Sequence, residues 1–228
     1  MKNQAVLIKS DVRSVLAFVK KLLPENPVVV EAGAFCGHDT VVISDCWQQG
    51  TVHAFEPVPQ LYEQLKKRVA HKTNVFIYQC ALGNVVGQAE LYVAEKPETP
   101  GILSQAGSLL RPKERLKWSP LVYKQSISVQ TVTLDFWAKE QAISKIDFLW
   151  FDLQGYALPV LKAAPCILKT IKIIYVEVEF VEAYEGQALY HEVREWLEQQ
   201  GFSVVAVDFV DQKTWFFGNV IFVRTNDL

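Results

Sequence analysis

The fold is decided by the stretch VVVEAGAFCGHD, residues 28–39. Its first three residues form an unbroken apolar run, which is typical of a central strand in a parallel sheet covered on both faces. A turn bracketed by Gly33 and Gly37 follows, and the residues after this turn are expected to begin a helix. Because open α/β sheets bind ligands at the carboxyl ends of their strands, Glu31 is expected to face a ligand crevice. The stretch therefore predicts a nucleotide-type cofactor site.

The glycine spacing separates two classes of cofactor. The dinucleotide fingerprint G-x-G-x-x-G needs a glycine that this turn lacks, since Ala34 and Phe35 follow Gly33. A carboxylate just before the first glycine would repel a pyrophosphate, but it would hydrogen-bond an ammonium group. The pattern E-x-G-x-x-x-G therefore favours S-adenosylmethionine over NAD, and an ordinary strand-to-helix turn remains the alternative.

Strand and helix patterns alternate along the rest of the chain, which predicts repeated β-α-β units. We expect a Rossmann-like, mostly parallel sheet with helices on both faces and one reversed edge strand. The further strands are expected at 51–55, 75–78, 88–94, 126–132, 146–151, 171–178, 202–207 and 215–223. The helices are expected at 12–23, 39–49, 60–70, 134–141 and 189–200, with one more starting near Tyr156.

Composition limits the class of protein. The 228 residues are expected to form one domain, with 1–27 as an N-terminal helix and lead-in and 95–125 as a polar excursion near the acceptor site. Half of the residues are hydrophobic, which excludes global disorder, and the net charge of −2 argues against a nucleic-acid partner. No stretch is long and apolar enough to span a membrane. The four cysteines are widely spaced, as in reduced cytoplasmic proteins, so we expect a cytoplasmic protein that binds a small molecule and is compatible with a homodimer.

Acidic residues recur where predicted strands end. Glu31, Glu56, Asp152 and the pair Glu177/Glu179 should converge on one crevice, because the carboxyl ends of parallel strands share an edge. Glu56 could accept both hydroxyls of an adenosine ribose, and its alternative is a solvated loop carboxylate. The turn containing Ala81 and Leu82 would suit an adenine ring, and its alternative is ordinary packing at a strand end.

Asp152 is the main candidate for chemistry. It could orient or deprotonate a substrate hydroxyl, with Gln154 beside it, and it could also cap the helix that follows. Glu179 and His38 are further candidate bases, although a histidine after a glycine turn more often bonds the backbone. The cations of the excursion are more typical of a solvated face than of an anion site; they are Arg111, Lys113, Arg115 and Lys117.

The succession of motifs resembles the FkbM-type methyltransferases over residues 28–201. The motifs are E-x-G-A-x-x-G at 31–37, F-E-P-x-P at 55–59, A-L-G at 81–83, T-L-D at 133–135, I-D-F-x-x-x-D-x-Q-G at 146–155 and E-x-E-x-x-x-x-Y-x-G at 177–186. The resemblance implies the seven-stranded class I methyltransferase fold and an S-adenosylmethionine-dependent enzyme, with several members acting on hydroxyls of sugars or natural products. We therefore predict O-methylation of a sugar or small metabolite. The rivals are a non-catalytic S-adenosylmethionine-binding module and an NAD-dependent oxidoreductase.

The resemblance also assigns roles to residues. The predicted cofactor contacts are Glu31, Gly33, Ala34, Phe35, Gly37, His38, Glu56, Pro57, Ala81, Leu82 and Asp152. The predicted catalytic residues are Asp152, Gln154 and Glu179, and the predicted substrate contacts are Ser108 and Tyr184, with no metal. The chain departs from the family pattern at three positions, the mildest being Glu31, where the family commonly has aspartate. It has Trp150 where the family usually has lysine, and Ala157 where the family usually has glutamate.

Overall fold

The computed structural model describes residues 5–99, 101–210 and 215–225. The strands of this part of the chain are β1 (Val6–Leu7), β2 (Val28–Ala32), β3 (Thr51–Phe55), β4 (Val75–Tyr78), β5 (Ala81–Leu82), β6 (Gly87–Glu95), β7 (Val122–Val132), β8 (Phe148–Phe151), β9 (Ile173–Glu179), β10 (Phe202–Val207) and β11 (Phe217–Arg224). The helices are α1 (Val12–Val19), α2 (His38–Cys46), α3 (Pro59–Val69), α4 (Arg115–Trp118), α5 (Leu134–Glu140), α6 (Ala157–Lys162) and α7 (Tyr190–Gln199). Two 3₁₀ turns cover Lys20–Leu22 and Ile167–Thr170.

Eight strands form the main sheet, in the order β1-β10-β11-β9-β8-β2-β3-β4. All neighbouring strands are parallel except that β11 runs antiparallel to β9 and to β10. The mostly parallel Rossmann-like sheet is confirmed, with the short β1 added to the seven expected strands.

The position of the reversed strand differs from the prediction. We expected it at the edge, but β11 lies inside the sheet between β9 and β10. Val220, Ile221 and Phe222 are fully buried in succession, so both faces of β11 are covered, and a strand of this kind belongs in the interior of a sheet.

The helices cover both faces of the sheet. Alternate residues of each strand point to opposite faces, so Val29 packs towards α1 and α2, and Val30 packs towards α5, α6 and α7. The helix expected over 12–23 ends at Val19 and continues as a 3₁₀ turn, and Asp11 caps it by accepting a bond from Ser14 N at 3.0 Å. Since Glu31 and Trp150 are paired in register, both lie on the α1–α2 face, as does Asp152, two residues after Trp150.

A second sheet of three strands lies beside the first, in the order β5-β7-β6. β6 and β7 extend the two alternating segments of the sequence, and β5 is a strand where we expected only a turn. Ala81 and Leu82 pair in parallel with Thr131 and Val132. The small sheet therefore stands over the carboxyl ends of β3 and β4, where it can wall a ligand.

Candidate active site

The glycine turn joins the ends of β2, β3 and β8. Gly33 and Ala34 both donate backbone bonds to Phe55 O, at 3.2 and 3.0 Å. Gly33 has φ +89°, and a Cβ atom at this position would lie 2.0 Å from the carbonyl oxygen of Asp152. Only glycine allows this approach, so the turn brings Asp152 beside the start of the predicted cofactor loop.

Glu56 fixes the shape of the turn. Its Oε2 accepts a bond from Phe35 N at 2.9 Å and its Oε1 accepts one from Val58 N at 2.9 Å. Burial raises the pKa of Glu56 to about 8, while these two N–H donors favour the ionised form. A carboxylate oxygen has two lone pairs, so each oxygen can accept one further hydrogen bond from a ligand hydroxyl.

A cleft opens beside Glu56, at the carboxyl ends of β2 and β3. Its walls are mainly apolar and come from the strand ends of the main sheet, from β6 and from the excursion. Burial raises the pKa of Cys80 to about 11, so its thiol stays neutral and acts as part of the apolar wall. The lining includes Gly33, Phe35, Phe55, Glu56, Pro57, Cys80, Ala81, Leu82, Leu91, Val93, Ser104, Gln105, Ser108, Leu109, Asp152 and Tyr156. We call this cleft the apolar lobe.

A polar space of about 360 Å³ adjoins the apolar lobe and shares Gly33, Phe35, Gln105 and Asp152 with it. We call it the polar lobe, and Glu31, Ala34, His38, Asp39 and Trp150 complete its lining. Glu31 is only 1% exposed, and no group of the described residues hydrogen-bonds its Oε2. Burial raises the pKa of Glu31 to about 8. A buried carboxylate oxygen of this kind needs a partner from a ligand, and an ammonium group fits.

Two further carboxylates lie near Asp152. Glu177 and Glu179 alternate along β9 and therefore share a face of the sheet. Gln154 Nε2 donates to Asp152 Oδ1 at 2.6 Å and to Glu177 Oε1 at 2.7 Å. Burial raises the pKa of Asp152 and of Glu177, and it raises that of Glu179 to about 8. The Arg115 guanidinium opposes this rise in all three groups.

A family model described as the methyltransferase FkbM domain matches residues 31–204. The chain belongs to this family. The family identifies the chain as an S-adenosylmethionine-dependent methyltransferase.

Similar proteins agree with this FkbM assignment. The 2-O-methyltransferase NoeI of Sinorhizobium fredii is 24% identical over 77% of this chain and 71% of its own length. Methyltransferase sdnD of Sordaria araneosa is 27% identical over 80% of this chain and 76% of its own length.

Solved structures show the same fold. An rRNA methylase from Streptococcus thermophilus has a TM-score of 0.54 at 14% identity, with 96% of this chain and 99% of that chain covered. Magnesium protoporphyrin IX methyltransferase from Synechocystis PCC 6803, solved with bound S-adenosylhomocysteine, has a TM-score of 0.52 at 11% identity, with 93% and 81% covered. These neighbours confirm the class I methyltransferase fold.

The structure brings most of the predicted site residues of this FkbM-family chain together. The apolar lobe is lined by Gly33, Phe35, Glu56, Pro57, Ala81, Leu82, Ser108 and Asp152, and the polar lobe adds Glu31, Ala34 and His38. Among the residues described, no three His, Cys, Asp or Glu side chains are grouped so that they could hold a metal ion. The helices of the described part include none that is long and apolar enough to cross a membrane.

Four predicted residues do not line either lobe. Gly37, with φ +82°, begins α2 and lies against Leu65, where a Cβ would come within 2.6 Å of Leu65 Cδ1. Gln154, Glu179 and Tyr184 are all buried. The Tyr184 hydroxyl donates to Gln154 Oε1. Tyr184 therefore supports the site from behind, where we had expected a substrate contact.

Some lining residues were not predicted. Asp39 lies in the first turn of α2, close to the glycine turn, so its sequence position could have indicated it. Trp150 lies on β8 two residues before Asp152, so strand alternation could have indicated it as a neighbour of the site. Leu91 and Val93 follow the same alternation on β6. No sequence pattern could have indicated Gln105, because its position depends on how the excursion folds against the main sheet.

Proposed function

We propose that this methyltransferase acts on a hydroxyl group of a sugar or small metabolite. The observation that carries the proposal is the half-buried Asp152 carboxylate, which lines both lobes where they meet. NoeI, a relative, is named as a 2-O-methyltransferase, which supports the same chemistry. The acidic lining of the polar lobe disfavours a phosphate backbone, which supports a small-molecule acceptor over a nucleic acid.

In this proposal the apolar lobe binds the adenosine of the cofactor and the polar lobe binds its amino-acid end. Ala81 and Leu82 would flank the adenine, Glu56 would accept the ribose hydroxyls, and Glu31 with Asp39 would bind the ammonium group of the amino-acid end. When bound, S-adenosylmethionine supplies an electrophilic methyl group on a sulfonium. The ribose and ammonium contacts would place the methyl group near Asp152, because Asp152 lies at the boundary of the lobes.

Asp152 would bind the acceptor hydroxyl and take its proton as the oxygen attacks. Burial raises the pKa of Asp152, which strengthens it as a base, and the Gln154 amide keeps one carboxylate oxygen in a fixed position. Holding the hydroxyl in line with the methyl group would supply much of the rate, and the base would add about 10²–10⁴-fold.

The test is Asp152→Asn, which keeps the shape of the side chain and removes its charge. We expect the rate of methyl transfer to fall by about 10²–10⁴-fold, while the affinity for S-adenosylmethionine changes only a few-fold. Transfer is followed by mass spectrometry with a panel of neutral glycosides and hydroxylated metabolites. Asp45→Asn is the control, because Asp45 lies on α2 and pairs with Lys72 at the surface, outside both lobes. Equal rates in the wild type and in Asp152→Asn would exclude the base role.

The same assay separates the rival functions. A non-catalytic module would bind S-adenosylmethionine and S-adenosylhomocysteine in calorimetry and release no methylated product from any acceptor. An NAD-dependent oxidoreductase would bind NAD in the same titration. Our proposal expects binding of the first two ligands, no binding of NAD, and product formation.

We also propose that residues 1–228 act as a single cytoplasmic domain, with a homodimer compatible with this arrangement. We propose that the excursion at 95–125 contributes to the acceptor site. The support is that Ser104, Gln105 and Ser108 line the apolar lobe. The excursion includes residue 100, and the domain includes 1–4, 211–214 and 226–228, all of which lie outside the described residues. The four cysteines are free thiols, as expected in a reducing compartment.

A further inference from the structure

The Gln154 side chain is the centre of a buried hydrogen-bond network. Its backbone has φ +46°, which turns the side chain inward, and the residue is 5% exposed. Its amide nitrogen donates one bond to Asp152 and one to Glu177, while Tyr184 donates from its hydroxyl to Gln154 Oε1 at 2.8 Å. Both amide hydrogens and the amide oxygen are therefore used at once.

The number of hydrogens available decides which bonds form together. The Tyr184 hydroxyl also lies 3.1 Å from Ala106 O and 3.4 Å from the Tyr123 hydroxyl, but a phenol carries only one hydrogen. Tyr123 lies closer to the Ala106 carbonyl, at 2.9 Å, and can donate to it. Of the acceptors in reach of the Tyr184 hydroxyl, Gln154 Oε1 is the nearest, at 2.8 Å, so the Tyr184 hydrogen is assigned to it. This bond fixes the amide with its nitrogen towards the two carboxylates.

We propose that Tyr184 is a positioning residue that, through the Gln154 amide, holds the Asp152 and Glu177 carboxylates together at the acceptor side of the cleft. Tyr184 is fully buried and lines neither lobe, so it acts only through Gln154. The effect of this arrangement on catalysis rests on the function proposed above. The arrangement itself can be tested on the protein without any acceptor.

Removing the Tyr184 hydroxyl takes away the donor that holds the Gln154 amide oxygen in place. The amide can then rotate more easily, so that its oxygen and nitrogen exchange positions. A reversed amide would direct its oxygen at two carboxylates, which would repel it while both are ionised. Asp152 would then lose its donor, and its ionised form would become less stable. The charged groups that influence Asp152 and its neighbours are Glu31, Asp39, Glu56, Glu177, Glu179, Asp208 and Arg115.

The experiment is a carbon-13 NMR titration of the Asp152 carboxyl in the full chain, with Asp152→Asn used to assign the signal. In Tyr184→Phe, we expect Asp152 to bind its proton about tenfold more tightly than in the wild type, as loss of a hydrogen bond to a charged group predicts. The side-chain N–H₂ signals of Gln154 should broaden or shift in the same variant. Calorimetry should show affinity for S-adenosylmethionine within about twofold of the wild type, because the cofactor contacts remain intact.

Tyr78→Phe is the control for general loss of a phenol bond, since the Tyr78 hydroxyl lies 3.0 Å from His53 Nδ1 and not at the site. It should leave the Asp152 titration unchanged. If Tyr184→Phe also leaves the Asp152 titration and the Gln154 signals unchanged, the proposal is overturned. Absence of methyl transfer would refute the proposed function, while the NMR result would still decide the role of Tyr184.

Discussion

Substitution of Gly33 by alanine tests whether close contact between β2 and β8 builds the site. A Cβ at position 33 would lie 2.0 Å from the Asp152 carbonyl oxygen and 3.1 Å from its carbon, whereas real Cβ atoms hardly ever come within 3.0 Å. The overlap is with backbone, which cannot rotate away as a side chain can. The Asp152 peptide must therefore move by about 1 Å, and its bond from Asp152 N to Ala32 O, now 3.1 Å, would be strained or broken.

The cost can be worked out from three contributions. The left-handed backbone at φ +89° costs an alanine about 1–2 kcal/mol, the steric displacement about 1–3, and the weakened backbone bond about 1. We expect Gly33→Ala to lower the free energy of unfolding by about 3–6 kcal/mol, measured by urea denaturation. Affinity for S-adenosylmethionine should fall as well, because Asp152 and the cofactor loop separate.

Gly101→Ala is a close control, since Gly101 has φ +85° and no atom within 4 Å of the added Cβ. It should cost only the backbone contribution of about 1–2 kcal/mol. If the two variants lose the same stability, the contact with Asp152 is not the reason for glycine at position 33, and our account of the turn is wrong.

Two further predictions concern buried titratable groups. Burial lowers the pKa of His53 from 6.5 to about 4, so between these pH values the unfolded chain binds a proton that the folded chain does not, and stability falls on acidification by up to about 3 kcal/mol. His53→Phe should remove this loss relative to the wild type in urea unfolding at pH 7.5 and 4.5, and identical pH dependence in the two proteins would contradict the prediction. Glu56→Gln places an amide N–H₂ against one of the two backbone N–H groups that Glu56 accepts from. We therefore expect the affinity for S-adenosylmethionine to fall about 10–100-fold in calorimetry. Unchanged affinity would show that Glu56 does not bind the ribose.

The cofactor end of the site could be predicted because it depends on local pattern. Strand ends of a parallel sheet share an edge, so Glu31, Glu56 and Asp152 had to converge once the strands were recognised. The glycines between them showed where the backbone approaches closely.

The side of the site that we propose for the acceptor could not be predicted in the same way, because its contacts come from residues outside the strands of the main sheet. Ser108 donates to Gln154 O at 2.8 Å across 46 residues, and Tyr184 reaches Gln154 across 30. The polar composition of the excursion favoured a solvated face. Lys113 and Lys117 fit that view, since they pair with Glu182 and Glu114 near the surface, but Ser108 is buried.

Arg115 shows how distant segments can also compensate for a local departure. The family resemblance expects a lysine at position 150, where this chain has a buried tryptophan that packs on Tyr175 with ring centroids 4.1 Å apart. The acidic cluster that such a lysine would face still has a cation nearby, because the Arg115 guanidinium of α4 favours the ionised forms of Asp152, Glu177 and Glu179. In this chain the excursion supplies a positive charge to these carboxylates. Under the proposed function, changes in a segment that carries both cleft-lining residues and this charge would alter the acceptor preference and leave unchanged the sheet edge that we propose binds the cofactor.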